Sequence, residues 1–265
     1  MKTRLIFIVS VICVTMTASA QQIEYNRMLS NALQFVGTPY EAHTLEAGDT
    51  EELIYGTDAL DCMTFVETAM AMSMCKEQGD DMSESEFARN LQKIRYRGGI
   101  IDGYTSRLHY ATDWVDDNVK KGIIEDITAV NSPFEIPVFV NYMTNHAENY
   151  KHLAASSENI KTMQAIEERL SKETIHYLPT EEVPQTGKAW IKNGDIILIT
   201  TNIPGLDCSH FGIAIYINGN LHLLDASLSA EKVQVEPLVM SRYLLRNKHT
   251  TGIRVMRLRP EAINN

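Results

Sequence analysis

Two apolar runs, His210–Ile217 and Leu221–Leu224, flank the dipeptide Asn218-Gly219. Both residues of that pair tolerate positive φ, which makes it the strongest short-range signal for a two-residue hairpin. Ile217 then pairs with Asn220, and the two runs become neighbours in an antiparallel sheet. IILIT (196–200) behind Gly194-Asp195, KVQVE (232–236) and GIRVMRL (252–258) read as further strands. The first half is spaced differently. Ile23, Met28, Leu29, Leu33 and Phe35 predict a helix over 23–35. Ser83 with Glu86 predicts a capping box that opens a helix to about Tyr96, stopped by Gly98-Gly99. Two more helices are expected over about 106–120 and 157–172. Helices first and antiparallel strands second make an α+β fold. No repeat, low-complexity tract or Pro- or Gly-rich linker divides the sequence, so residues 21–265 are expected to form one domain.

Residues 1–20 have the layout of a signal peptide: Lys2 and Arg4, an apolar run from Leu5 to Val14, then Ala18-Ser19-Ala20 before Gln21. The run is shorter than the roughly 20 residues of a permanent span. Cys13 lies inside it, behind Ile12, so no lipid anchor is expected. The expected product is a soluble, exported, periplasmic protein without a membrane anchor. The whole chain has a net charge of −10, which becomes −12 without residues 1–20 (22 Lys and Arg against 34 Asp and Glu), and this with the lack of a basic cluster argues against nucleic acid or an anionic membrane as partner. Eight histidines occur, but neither HExxH nor paired CxxC, so no metal or other cofactor is expected. His146, His152 and His176 read as surface or core residues, and Met63, Met70, Met72 and Met74 as helix core.

Three cysteines follow the signal, Cys62, Cys75 and Cys208, an odd number for an oxidising compartment. Asp61 is a good N-cap, which places Cys62 at the first helical position with Phe65, Val66, Ala69 and Met70 burying the helix. A thiol there meets free backbone N–H groups and the positive end of the helix dipole, both of which favour thiolate. The plain alternative is a buried structural cysteine. A thiolate nucleophile needs a base, and the base needs a polar group to orient it. His210, at the head of a strand, is the base candidate. The hairpin register puts Asp225 opposite Gly212, on the face of His210 and diagonal to it, and Gly212 leaves room for the contact. His222 falls opposite Ile215 on the other face and becomes the orienter only if the register slips. His109 is a weaker base candidate because no orienter is evident. A Cys62–Cys208 disulfide would consume the nucleophile and is not expected.

Asp61-Cys62, Gly194-Asp195, His210-Phe211-Gly212-Ile213 and Asp225-Ala226-Ser227 resemble the ordered motifs of the NlpC-type superfamily of cell-wall hydrolases, with Asp225 where that pattern has a third histidine. VGTPY (36–40), DCMTFVE (61–67), YRGG (96–99), GYTSRLHY (103–110), GLD (205–207) and GIRV (252–255) are similar to its N-acetylmuramoyl-L-alanine-amidase-like branch. The resemblance implies a papain-like α+β fold, a helical N-terminal half packed on an antiparallel sheet with extra helical insertions. It implies hydrolysis of the amide between N-acetylmuramic acid and L-alanine in peptidoglycan fragments, 1,6-anhydro-muropeptides above all. Cys62 would attack, His210 protonate the leaving amine and Asp225 hold the imidazole. Tyr40 would sit beside the nucleophile, Arg107 clamp a stem-peptide carboxylate, and Tyr104 or Tyr110 stack on a sugar. Asp61, Ser106 and Ser209 complete the expected substrate-binding set of a monomeric enzyme. Two readings stay open beside it: a γ-D-glutamyl-diaminopimelate endopeptidase, and a catalytically silent muropeptide-binding module.

Overall fold

A computed structural model of the 265-residue chain describes residues 26–46 and 48–263. The signal peptide expected over 1–20 lies outside the described residues. The helices are α1 (Arg27–Leu33), α2 (Cys62–Met74), α3 (Glu84–Arg95), α4 (Ala111–Lys120), α5 (Ile127–Asn131), α6 (Tyr142–Asn145), α7 (Lys151–Ala154), α8 (Ser157–Leu170), α9 (Met240–Leu244) and α10 (Pro260–Ile263). The strands are β1 (Ile124–Asp126), β2 (Glu135–Pro137), β3 (Thr174–His176), β4 (Leu178–Pro179), β5 (Ile196–Thr201), β6 (Cys208–Ile217), β7 (Asn220–Ser227), β8 (Lys232–Val235) and β9 (Thr250–Leu258). The architecture is α+β. An antiparallel sheet runs in the order β1-β9-β5-β6-β7-β8, with β4 also paired to β9.

The hairpin forms as its dipeptide demands. Asn218 and Gly219 have φ of 50° and 76°, and Ile217 pairs with Asn220. Alternation along β6 and β7 then fills two cores. Phe211, Ile213, Leu224 and Ala226 join the helical layer, while Ala214, Leu221 and Leu223 pack on the opposite side with Met240 and Leu244 of α9. The sequence of α2 is apolar almost all round, and a helix of that kind must be covered on every side. Thr64 to Met74 are all buried, between α1, α3 and the β6–β7 hairpin. Met70, Met72 and Met74 are core residues of this helix.

Two helices differ from the sequence expectation, and four short strands were not expected. Ser83 caps α3 by accepting from the Glu86 N–H, but the Glu86 carboxylate turns to the Lys76 N–H, so the box is half formed. The helix expected over 106–120 starts only at Ala111. Arg107 is drawn into an antiparallel bridge with Tyr96, and the Leu108 N–H donates to the Arg95 carbonyl, which keeps this stretch extended. Strands β1 to β4 span two or three residues each, too few for a period to register.

Candidate active site

Asp61 is extended, with φ −91° and ψ −179°. Its carboxylate accepts the Thr64 N–H at 2.7 Å and Thr64 Oγ1 accepts the Asp61 N–H at 2.9 Å, a reciprocal capping box. The box starts α2 at Cys62 and leaves the N–H groups of Cys62 and Met63 without an intrahelical acceptor. The thiol therefore meets free donors and the positive end of the helix dipole.

The sheet supplies the partner. On β5, Ile199 pairs with His210 but Thr200 pairs with Cys208, so Ser209 is the extra residue of a bulge just before His210. Such bulges bend a strand and re-aim its side chains. Leu224 of β7 pairs with Ile213, which sets Asp225 against Gly212. A Cβ at Gly212 would meet Leu223 Cδ1 at 2.6 Å and the Leu224 oxygen at 3.0 Å, so only glycine permits this approach. His210 Nε2 lies 2.6 Å from Asp225 Oδ2, and Asp225 is fully buried. Burial resists charging the His210 ring. Cys62, and after it the hydrogen bond to Asp225, outweigh that and raise its pKa from 6.5 to about 10. Cys62 is itself hydrogen-bonded to His210. With Nε2 committed to Asp225, Nδ1 is the ring atom left for sulfur. The Tyr40 hydroxyl completes the group: burial, then Cys62, then Asp61 push its pKa up to about 12.

Two clefts flank Cys62 and His210. Asp61 and Met63 line one of about 160 Å³, together with His43, Glu46, Arg95 and Arg107. His210 and Asp225 line one of about 540 Å³, with Ser209, Ser227, Tyr243 and Arg246.

Tyr40 and Asp61 lie beside Cys62, and Ser209 lines the larger cleft with His210 and Asp225. The other expected contacts have partners within the chain. Tyr104 is buried, stacked on His152 with ring centroids 5.0 Å apart. The Tyr110 hydroxyl donates to Glu167 at 2.7 Å and accepts from the Met143 N–H at 2.9 Å inside the same core, so neither ring offers a face to a sugar. Ser106 Oγ donates to the Gly103 carbonyl at 2.7 Å and accepts from the Asp102 N–H at 3.0 Å, holding its own turn. Arg107 does reach the smaller cleft, but its guanidinium pairs with Glu46 at 2.9 Å and Glu51 at 3.1 Å, so the carboxylates it clamps belong to the chain. His109 is no base: burial, then Arg107, drive its pKa down to about 3. His222 faces away and contacts the Glu236 carbonyl at 3.0 Å. Cys75 and Cys208 are buried free thiols, and burial pushes both upward in pKa.

Sequence reasoning missed Tyr243, inside the five-residue α9, and Arg246 just after it, because that helix is too short to carry a period. It also missed the Glu67–Arg95 pair at 2.7 Å, where Glu67 accepts from Trp114 Nε1 at 3.2 Å as well. Glu67 inside an otherwise apolar helix and Arg95 at the end of another were the available signals. Among the described residues, no group of His, Cys, Asp and Glu is arranged to hold a metal ion, and no helix is long and apolar enough to cross a membrane.

Comparison with solved structures finds an N-acetylmuramoyl-L-alanine amidase from Bacteroides uniformis ATCC 8492, 48% identical, with a TM-score of 0.86 over 88% of this chain and 98% of that one. A Bacteroides fragilis protein described provisionally as a xylanase is 54% identical, with a TM-score of 0.85 over 87% of this chain and 100% of that one. A Legionella pneumophila protein, 24% identical with a TM-score of 0.65 over 88% of each chain, shares the fold alone. No curated protein matches the chain. The family model described as AmiA-like, N-acetylmuramoyl-L-alanine amidase-like, matches residues 30–253, a span that holds Asp61, Cys62, His210 and Asp225. With most of its length inside that match, the chain belongs to the N-acetylmuramoyl-L-alanine amidase-like family.

Proposed function

We propose that this protein is an exported cysteine amidase of the papain-like, NlpC type that cleaves the bond between N-acetylmuramic acid and L-alanine in peptidoglycan fragments. The observation that carries the proposal is the relay of Cys62 at a capped helix start, His210 in contact with it, and Asp225 at 2.6 Å behind the ring. The pKa of His210 near 10 keeps the ring protonated at neutral pH, the form that pairs with a thiolate and can give a proton to a leaving amine. Cys62 Sγ attacks the lactyl carbonyl carbon. The negative charge passes to the carbonyl oxygen, which in this reading takes hydrogen bonds from the Cys62 N–H at the helix start and the Tyr40 hydroxyl. His210 protonates the alanine nitrogen, the C–N bond breaks, and a thioester remains on Cys62. Water, losing a proton to His210, then hydrolyses the thioester and frees the muramic acid carboxylate.

A glycosidase would need two carboxylates free to serve as acid and base. Here Glu67 is tied to Arg95, Glu46 to Arg107, Asp225 to His210 and Asp61 to its helix cap, which favours the amidase. The basic, apolar and small-residue layout of residues 1–20 supports a site of action outside the cytoplasm. The test is one defined 1,6-anhydro-muropeptide analysed by mass spectrometry. Free anhydro-muramic acid and an intact stem peptide support the proposal. Cleavage between D-glutamate and diaminopimelate, or sugar release from xylan, would replace it.

A further inference from the structure

We propose that the larger cleft receives the leaving stem peptide and that Arg246 there reads a carboxylate one residue beyond the scissile amide. The inference rests on the amidase reading above and gives that reaction its specificity. His210 must hand its proton to the departing nitrogen, so the peptide departs on the side where His210 is exposed, and His210 lines the cleft of about 540 Å³. The charges of the two clefts differ in the same sense. In the smaller cleft both arginines are neutralised by the chain itself, Arg95 by Glu67 at 2.7 Å and Arg107 by Glu46 at 2.9 Å and Glu51 at 3.1 Å. Asp61 adds a further carboxylate, and Glu46 keeps one buried oxygen, Oε2, without a hydrogen-bond partner. A carboxylate has no place there, whereas the hydroxyl and amide donors of a muramoyl group do.

In the larger cleft the balance reverses. Among the described residues that line it, Arg246 is the one side chain besides His210 that carries positive charge, and no carboxylate of the described chain pairs with it. Asp225 pairs through Oδ2 with His210, and its Oδ1 is buried without a hydrogen-bond partner, so this pair offsets its own charges and Arg246 is the cation left over. Ser227, Ser229 and Asn247 bring hydroxyl and amide groups suited to peptide backbone, and Tyr243 forms an adjoining wall. The guanidinium fork matches a carboxylate with two parallel N–H···O bonds. In a stem peptide joined through the side chain of its second residue, D-glutamate, the free α-carboxylate stands one residue past the bond that breaks.

The experiment compares 1,6-anhydro-N-acetylmuramoyl-L-alanyl-D-glutamate with its D-isoglutamine analogue, which lacks that carboxylate, on wild-type enzyme, Arg246→Ala and Arg246→Lys. Arg246→Ala should lose about tenfold in kcat/KM on the acid, chiefly through KM, and almost nothing on the amide. Arg246→Lys should recover only part of the loss, because the fork is gone. Iodoacetamide should alkylate Cys62 at the wild-type rate in both variants, which reports an intact fold and an intact nucleophile. Equal losses on the two substrates, or none on either, would overturn the clamp and leave the amidase standing. Failure of the wild-type enzyme to cleave either substrate would overturn the amidase reading and the clamp with it.

Discussion

Asn in place of Asp225 keeps the size of the side chain and removes its charge. Asp225 is fully buried, and its Oδ2 lies 2.6 Å from His210 Nε2. A hydrogen bond to a charged group contributes about 1.5–3 kcal/mol. The short contact to a fully buried carboxylate puts this one near the top of the range, roughly 100-fold at 1.4 kcal/mol per decade. The pH dependence gives an independent sign. In the wild type the ring stays protonated until the pH approaches about 10, because Cys62 and then Asp225 outweigh its burial. Asp225 raises that pKa, so its removal must lower it, and the alkaline limb of kcat/KM must move to lower pH. The assay is kcat/KM on one defined muropeptide across the alkaline range, with NMR of the His210 ring in parallel. Activity within about twofold of wild type, or an unmoved alkaline limb, would refute the orienting role.

His222→Ala should keep nearly full activity, since that ring touches the Glu236 carbonyl and not the relay; a loss like that of Asp225→Asn in a kinetic assay would mean the orienter has been misassigned. Gly212→Ala should be inactive while still folded, because the new Cβ drives Leu223 and the Leu224 carbonyl away from β6; normal turnover would show that the two strands do not need this approach. Arg107→Ala should act on stability, since Glu46 and Glu51 lose their cation: about 3 kcal/mol by urea unfolding is expected, and a raised KM at unchanged stability would restore the clamp to Arg107. Asp61→Ala should cost about 1 kcal/mol as a lost cap and slow alkylation of Cys62; unchanged labelling would detach the thiol from its helix terminus.

The sequence carried the parts of the site that depend on local rules. Asp61 and Thr64 announce a helix start within four residues, and Cys62 follows from it. Asn218-Gly219 sets the pairing of β6 with β7, so Asp225 could be placed behind His210 by counting. The bulge at Ser209 was not legible, because it arises from the match of β5 to β6 rather than from any signal in β6 alone. Arg107 illustrates a different limit. Its charge invited a ligand, but Glu46 and Glu51, more than fifty residues earlier, reach it first, and only the tertiary fold shows that. Arg246 is the converse case, an unremarked surface cation that folding places in the larger cleft.

The most direct test of the central claim is mass spectrometry of the products that the wild-type enzyme and Cys62→Ser release from a single 1,6-anhydro-muropeptide, with thermal stability of both proteins measured alongside. The account predicts free anhydro-muramic acid and stem peptide from the wild type, none from Cys62→Ser, and closely similar melting temperatures. Turnover by Cys62→Ser, or a melting temperature that falls in step with activity, would contradict it.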